Sequence, residues 1–184
     1  MGDFLEKTLE DIIYQNRHFI AERGFPVPDD NMLRQVVLPS GMRIDLFAYD
    51  ILDENSIQCA IYELKKGEIN IDSLIQISAY HFEVRGLLQP HFQNITIDKI
   101  LVGSCWSPEF YAVFNGLSDT FVYIYEYLID GIKFEQLCKR ETLFKKEWYN
   151  AGYAPSEKST DFLQLLLDNR KIDLAIWKAE NKKA

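Results

Sequence analysis

The sequence predicts an α/β protein with an αβββαβ core, in which a mixed β-sheet is flanked by helices, and a C-terminal α+β extension. Three patterns predict it: an amphipathic helix opens the chain, three strand-like runs follow, and a second amphipathic helix precedes an apolar strand. The predicted segments are residues 3–23 for the first helix, 34–38, 42–49 and 56–65 for the strands, 72–85 for the second helix and 99–103 for the last strand.

The opening helix is predicted from apolar residues that recur every three or four positions and from Gly24, a residue suited to ending a helix. Glu6 lies at the edge of the apolar stripe, closer to it than Glu10 does. That position is expected of a side chain that reaches from a packed helix into a site. The stripe consists of Leu5, Leu9, Ile12, Phe19 and Ile20, with the polar Asn16 at the same spacing.

The strands and the second helix are bounded by turn residues. Pro39-Ser40-Gly41 joins the first two strands as a hairpin, and Lys66-Gly67 ends the third strand. On the second helix, Gln76 and Tyr80 are four residues apart and therefore share a face. The strand at 99–103 is apolar enough to be buried beside the third strand.

Residues 1–105 are expected to form the core, and residues 106–184 to form an extension that packs on the same domain. Residues 141–158 have weak periodicity and are expected to be a loop that covers the site or a protein partner. The other predicted elements of the extension are a helix at 107–115, strands at 120–128 and 132–137 across a tight turn, and a final helical region that Ser159 caps.

Composition predicts one folded cytoplasmic domain. The chain has 184 residues, of which 47% are hydrophobic and 14% aromatic, so it is long and apolar enough to bury a core. Cys59, Cys105 and Cys138 lack metal-binding spacing and are expected to be reduced thiols. The N-terminus has no apolar signal region, and no run reaches the roughly 18 residues that a membrane span needs. Neither export nor a membrane partner is expected.

Charged residues at the ends of two strands are the strongest functional signal. Glu63 and Lys65 are two apart in one strand and therefore project from one face, while Leu64 points away. Charges at the end of an apolar strand are costly without a partner, and a hard divalent cation is such a partner. Asp45, Glu63 and the Leu64 carbonyl would supply oxygen ligands to Mg²⁺ or Mn²⁺, and Lys65 would hold or help deprotonate the attacking water.

At these residues the chain resembles the PD-(D/E)xK nuclease superfamily, and within it the branch of the NucS-type endonucleases. The resemblance runs from the first helix to Tyr80. The positions that match are the acid of the opening helix at Glu6, the family's aspartate at Asp45, its Glu-x-Lys at Glu63 and Lys65, and its helical Gln-x₃-Tyr at Gln76 and Tyr80.

The resemblance implies a restriction-endonuclease-like core and a metal-dependent nuclease that hydrolyses phosphodiester bonds, in DNA rather than RNA. All six matching residues would be catalytic, and Gln76 and Tyr80 would position the backbone phosphate or brace Lys65. The chain departs from the family at Ile44, which replaces the proline, and at residues 51–56, which lengthen the gap before Glu63. A longer hairpin loop would absorb that insertion without moving the site.

Each residue of the pattern also has an ordinary structural interpretation. Taken alone, the Glu-x-Lys would be a solvated pair, and the helical glutamine and tyrosine would be surface and core positions. Asp45 alone would be a buried acid satisfied by Arg43 or by a backbone amide, and Glu6 alone would be a first-turn acid that complements the helix dipole. The combined order of the residues favours the catalytic interpretation.

Two other functions fit the sequence. One is a catalytically silent module of the same fold, whose C-terminal third would bind a protein partner. The intact Asp45, Glu63 and Lys65 count against it. The other is a nuclease subunit that is active only in a larger complex, which the acidic composition favours.

The formal net charge of −8 is unusual for a protein that binds nucleic acid, since such proteins present a basic surface. A metal bound by the acidic residues would offset part of this charge. The remaining basic residues would have to be segregated. Those expected to contact nucleic acid are Arg34, Arg43, Lys65, Lys66 and Arg85 around the site, with Lys139, Arg140, Lys145 and Lys146 later in the chain.

Overall fold

A seven-stranded β-sheet forms the centre of the computed structural model, which describes residues 2–21, 25–26, 31–128, 131–137 and 144–149. The helices are α1 (Gly2–Gln15), α2 (Arg17–Ala21), α3 (Ile71–Leu88) and α4 (Pro108–Phe114). The strands are β1 (Met32–Val37), β2 (Arg43–Ile51), β3 (Ser56–Leu64), β4 (Glu68–Ile69), β5 (Asn94–Gly103), β6 (Cys105–Trp106), β7 (Thr120–Leu128), β8 (Gly131–Leu137) and β9 (Phe144–Tyr149).

The sheet is mixed, with the order β1-β2-β3-β5-β7-β8-β9. The strands β1, β2 and β3 form an antiparallel meander, and β5 and β7 then join in parallel. The strands β8 and β9 continue the sheet antiparallel. The predicted α/β class and the mixed sheet are therefore confirmed, and the observed order through β5 is αβββαβ with two short added elements, the helix α2 and the strand β4.

Helices cover both faces of the sheet and create two apolar layers. Leu9, Ile12 and Ile13 of α1 pack with Tyr62 and other β-strand residues on one face. On the other face, α3 and α4 pack over a second cluster, which includes Ile77, Tyr80, Phe110 and Ile61. Because Ile57, Cys59 and Ile61 lie in this second layer, Glu63 projects from the same face of β3, toward α3.

The helix α3 begins where the sequence places a capping box. The Asn70 side chain accepts a hydrogen bond from the Ser73 backbone N–H at 3.1 Å, and the Ser73 hydroxyl is 3.3 Å from the Asn70 backbone nitrogen, which donates to it. These bonds satisfy two donors at the start of the helix. The helix is therefore fixed at the residue where it leaves β4, directly after the candidate site.

The strand β1 changes face at Gln35. Met32 lies in the α1 layer and Val36 in the α3 layer, although residues four apart in a regular strand share a face. Gln35 has φ 49°, in the left-handed region, which costs a residue other than glycine on the order of 1 kcal/mol. The exchange lets Arg34 and Gln35 both reach α1 while Val36 packs beneath α3.

Two sequence predictions need correction. The first helix was expected to be continuous over 3–23, but it breaks at Asn16, whose side-chain amide donates to the Ile12 carbonyl at 2.8 Å. Residues 144–149 were expected to be loop, but their backbone pairs with β8 as an edge strand. The predicted end of the first helix at Gly24 and the final helix after Ser159 lie outside the described residues.

The two described cysteines differ in their surroundings. Cys59 is buried in β3, and Cys105 is exposed in β6. Burial raises the pKa of the Cys59 thiol. Within the described residues, no helix is long and apolar enough to cross a membrane.

Candidate active site

The strands β2 and β3 separate at the residues that carry the two acids. Their last paired residues are Leu46 and Tyr62, and the next positions along the strands are Asp45 and Glu63. The Asp45 side chain occupies the opening, since its Oδ2 accepts the Leu64 backbone N–H at 2.8 Å. The carboxylate thus takes the place of a carbonyl in the ladder, and both acids lie at one end of the hairpin.

The Leu64 carbonyl points toward the same opening. The Lys65 N–H donates to the Val102 carbonyl at 2.7 Å, so the peptide nitrogen of Lys65 faces β5. Successive residues of a strand alternate in the edge that they address, and the N–H and C=O of one residue address the same edge. Since the Leu64 N–H reaches Asp45, its carbonyl is directed to the β2 side as well.

A chain of hydrogen bonds links Glu63 to α3. Lys65 Nζ donates to Glu63 Oε1 at 2.6 Å and to Gln76 Oε1 at 3.0 Å. The Gln76 side-chain amide then donates to the Tyr80 hydroxyl. The structure therefore brings together Glu63, Lys65, Gln76 and Tyr80, which the sequence pattern grouped, and the four-residue spacing on α3 aims both helix residues at the end of β3.

Glu63 and Lys65 differ sharply in their exposure to solvent. Glu63 has a relative exposure of 3%, whereas the Lys65 side chain is 26% exposed. The buried carboxylate is thus held by the protein, while the lysine amine stays within reach of solvent or of a bound substrate.

The Tyr80 hydroxyl stays protonated at neutral pH. Burial is the main cause that raises its pKa to about 12, and the negative charges of Glu63 and Asp45 raise it further, against an opposing hydrogen bond from Gln76. A neutral phenol donates one hydrogen bond and accepts another. Tyr80 is therefore suited to positioning its neighbours or a phosphate oxygen and is unsuited to acting as a base.

Glu6 is the predicted site residue on the opening helix. Glu6 lies in α1, but its side chain is outside the described residues, so its predicted place in the site stays a prediction. Among the side chains that the structure does describe, no group of three or more histidine, cysteine or acidic residues forms a metal cluster. Asp45 and Glu63 are the described carboxylates at the opening.

Arg34 is buried in an ion cluster, and its predicted contact with nucleic acid is wrong. Its side chain is 1% exposed, its Nε donates to Glu10 at 2.6 Å, and its Nη2 donates to Asp11. The guanidinium also lies over the Tyr14 ring, 4.9 Å from the centroid. Gln35 donates to the second oxygen of Glu10. Desolvation is the main cause that raises the Glu10 pKa, against the opposing effect of Arg34.

This cluster was missed because the sequence gives little sign of it. Glu10 and Asp11 sit beside the apolar stripe of α1, where acids are ordinarily solvated. Two adjacent acids between the apolar residues Leu9 and Ile12 were the available signal. The arginine that partners them is 23 or 24 residues away in another element, and no local spacing rule connects it.

The other basic contacts predicted around the site divide into two groups, and the side chains of the later predicted contacts, Lys139, Arg140, Lys145 and Lys146, lie outside the described residues. Arg43 and Lys66 are exposed and lie within two residues of Asp45 and Lys65 in the chain. Arg85 is also exposed, but its guanidinium donates to the Ile95 carbonyl at 3.4 Å, near the start of β5. The site lies at the opposite end of that strand, so Arg85 does not join the residues around it.

Comparison with family models, with curated proteins and with solved structures gives no match to this chain. The functional argument consequently depends on the residues themselves and on their geometry.

Proposed function

We propose that this protein is a metal-dependent nuclease that hydrolyses phosphodiester bonds with Mg²⁺ or Mn²⁺. The observation that carries the proposal is the placement of Asp45, Glu63 and Lys65 at the open end of a β-hairpin, with Lys65 bonded to both Glu63 and Gln76. The αβββαβ order of the longer elements around the site supports the proposal of a restriction-endonuclease-like core.

The donor groups at the opening fit a hard divalent cation. Magnesium sites in proteins commonly use one or two carboxylates together with water and carbonyl oxygens. Asp45 and Glu63 would supply the carboxylates, and the Leu64 carbonyl, directed to the same side, would supply a third oxygen. A cation held there would acidify a water molecule and stabilise the charge that develops on the scissile phosphate.

Lys65 is the residue proposed to orient the attacking water. Its Nζ carries protons that can be directed at the water oxygen or at a phosphate oxygen, and its bond to Gln76 fixes the amine at 3.0 Å from a helix side chain. Gln76 is in turn held by the Tyr80 hydroxyl. Gln76 and Tyr80 are thus proposed to brace the lysine, and Glu6 remains a proposed further acid of the centre.

The proposed substrate is DNA. The second candidate function is a nuclease subunit that is active only in a larger complex. The described basic residues near the opening are Arg43, Lys65 and Lys66, whereas the whole chain has a net charge of −8. A surface with this balance binds a polyanion weakly at physiological salt. The acidic charge favours a protein partner that contributes to DNA binding, as in the proposed nuclease subunit.

A cleavage assay of the isolated chain tests the proposal. Single-stranded, double-stranded and branched DNA are incubated with Mn²⁺ or Mg²⁺, and the same reactions with EDTA are the control. Cleavage is expected only with the metal, and a Glu63→Gln variant prepared in parallel excludes a contaminating nuclease. Cleavage that persists in EDTA would remove the metal mechanism, and equal cleavage by the Glu63→Gln variant would remove the site.

A further inference from the structure

The strands β1 and β2 exchange faces at the same point. In β1 the exchange falls between Arg34, which reaches α1, and Val36, which packs beneath α3. In β2 it falls between Ile44, in the α3 layer, and Leu46, in the α1 layer, although residues two apart in a regular strand share a face. The two strands therefore turn together about one rung of the ladder.

Gln35 and Asp45 lie opposite each other in that rung. The residues on either side of it pair in the ladder, whereas the pairing leaves out these two. Gln35 has the left-handed φ of 49°, and Asp45 directs its carboxylate to the Leu64 backbone N–H of the neighbouring strand at 2.8 Å. Regular alternation would instead point the Asp45 side chain into one of the two helical layers. The turn of the strands thus places this carboxylate in the β2–β3 opening.

The left-handed backbone of Gln35 is held by α1. Its side-chain amide donates to Glu10 Oε2 at 2.5 Å, and the other carboxylate oxygen of Glu10 accepts from Arg34 at 2.6 Å. Asp11 completes the buried ion cluster around Arg34. A residue other than glycine keeps a left-handed conformation when its surroundings fix it, and such residues cluster at functional sites. The ion cluster provides that fixation beside the rung that carries Asp45.

We propose that Gln35 is a positioning residue of the metal centre, whose left-handed backbone, held by Glu10, turns Asp45 into the β2–β3 opening. The proposal rests on the proposed nuclease function for the metal, but the geometry that it invokes exists in the metal-free chain. The buried ion cluster then has a role in the site. It fixes the acid of β2, while the hydrogen bond from Lys65 fixes Glu63, the acid of β3.

Hydrogen exchange of the Leu64 amide reports the direction of Asp45 without metal, because this amide donates to the Asp45 carboxylate. Its exchange rate is divided by that of the Tyr62 amide, which addresses the same edge of β3 two residues earlier. A variant that destabilises the whole protein accelerates the exchange of both amides, so the ratio responds to a local change at the opening. Asp45→Ala, which removes the acceptor, gives the ratio for a carboxylate that is absent.

Two substitutions at Gln35 separate its backbone from its side chain. Gln35→Ala and Gln35→Gly both remove the bond to Glu10, but glycine adopts the left-handed region freely and alanine does not. Gln35→Ala is expected to raise the exchange ratio by about tenfold, the population change that corresponds to the left-handed penalty. Gln35→Gly is expected to stay near the parent. The matched control is Gln58→Ala, which removes an exposed glutamine from the regular part of β3 and is expected to leave the ratio unchanged.

Metal affinity provides a second measurement. Gln35→Ala is expected to raise the dissociation constant of Mn²⁺ roughly 10–100-fold, as loss of a residue that orients a metal ligand commonly does, while Gln35→Gly keeps the affinity of the parent. In an Asp45→Asn background, Gln35→Ala is expected to have no further effect, because Gln35 acts through Asp45. Electron paramagnetic resonance of free Mn²⁺ measures the affinity, and thermal melts verify that every variant is folded.

The outcomes distinguish the positioning role from the nuclease function. An exchange ratio that Gln35→Ala leaves unchanged would overturn the positioning role. A raised ratio in Gln35→Gly would overturn it too, whether or not Gln35→Ala folds. A selective rise in Gln35→Ala, together with no Mn²⁺ binding by the parent, would support the positioning of Asp45 and overturn the metal-dependent function. Metal-dependent cleavage by the parent with an unchanged ratio in Gln35→Ala would do the reverse.

Discussion

At the scale of single residues, the candidate site is a short relay of hydrogen bonds from a buried acid to a helix. Glu63 is bonded to Lys65, Lys65 to Gln76, and Gln76 to Tyr80. Each member is bonded to the next, and the Lys65–Gln76 bond joins the end of β3 to α3, so removal of one side chain should alter the placement of its neighbour. Single substitutions can therefore separate chemistry from folding.

Lys65→Ala is expected to reduce cleavage by a factor on the order of 10²–10⁴, the usual contribution of a positioned proton-transfer group. Binding of Mn²⁺ should persist, because Asp45 and Glu63 remain. Single-turnover cleavage and the Mn²⁺-dependent shift of the melting temperature measure the two effects. The matched control is Arg85→Ala, which removes an exposed cation of α3 near the start of β5. A Lys65→Ala variant as active as this control would show that Lys65 is only an ion-pair partner of Glu63.

Tyr80→Phe and Gln76→Ala are expected to impair turnover more than folding at neutral pH. The decrease in the free energy of unfolding at alkaline pH provides an independent measurement. An unfolded tyrosine ionises near pH 10, about its ordinary value, whereas Tyr80 in the folded chain keeps its proton to about pH 12. Ionisation of the unfolded chain therefore lowers the free energy of unfolding as pH rises between these values.

Tyr80→Phe should remove this part of the alkaline loss, which urea unfolding at a series of pH values from neutral to alkaline measures. Other buried tyrosines, such as Tyr62, contribute the same background to both proteins. An alkaline slope equal in parent and variant would mean that the Tyr80 pKa is close to that of an unfolded tyrosine.

The residues of the candidate site could be predicted from the sequence, but the burial of Arg34 and the backbone conformation of Gln35 could not. Alternation in β3 pairs Glu63 with Lys65, and the four-residue spacing in α3 pairs Gln76 with Tyr80. The expectation that the two pairs meet came from the resemblance to the nuclease superfamily. The burial of Arg34 depends on pairing between α1 and β1. The left-handed conformation of Gln35 has no signal in its side chain, since the residue types that favour that region are glycine and asparagine.

At the scale of elements, the segment after β3 is positioned by a close approach to Gly103. A Cβ atom at Gly103 would lie 2.6 Å from Ile69 Cγ1 and 2.8 Å from the Gly67 carbonyl oxygen. The second contact is with backbone, which cannot move independently of its neighbours. The short sheet of β4 and β6 thus lies directly against the end of β5, and only glycine permits it.

Gly103→Ala is accordingly expected to destabilise the protein and to displace residues 65–69, with a loss of cleavage larger than the loss of folded protein. Gly86→Ala is the matched control, because nothing lies within 4 Å of its Cβ position in α3. That variant should gain stability by up to about 1 kcal/mol through helix propensity. Urea unfolding of both variants measures the contrast, and similar stabilities would show that β4 adapts easily.

At the scale of the whole molecule, the sheet continues without interruption from the core into the extension. The parallel pairing of β5 with β7 makes this junction, and β8 and β9 follow as antiparallel neighbours. Two strand-like runs across a tight turn predicted β7 and β8. The strand β9 was not foreseen, because its sequence Phe-Lys-Lys-Glu-Trp-Tyr alternates poorly and its pairing is supplied by the neighbouring strand.

Metal binding at the open end of the β2–β3 hairpin should raise the free energy of unfolding of the whole protein. Mg²⁺ at a hundredfold excess over its dissociation constant is expected to stabilise the parent by about 2.7 kcal/mol. Asp45→Asn should gain far less. Without metal, this variant should be at least as stable as the parent, because an amide oxygen can still accept the Leu64 N–H while one negative charge near Glu63 is removed.

Thermal melts of the two proteins with and without Mg²⁺ or Mn²⁺ make this comparison. The absence of a metal-dependent shift in the parent at millimolar concentration would show that Asp45 and Glu63 do not bind the cation in the isolated chain. An equal shift in both proteins would assign the binding to another part of the molecule.

The exposed thiol of Cys105 allows the distance to a bound cation to be measured by spectroscopy. It lies in β6, paired with Glu68 a few residues after Lys65, and the buried thiol of Cys59 should react far more slowly with the same reagent. In a Cys138→Ser background, a nitroxide attached at Cys105 would report the distance to a bound Mn²⁺ ion by electron paramagnetic resonance. The position of the cation could then be measured in solution, before any substrate is known.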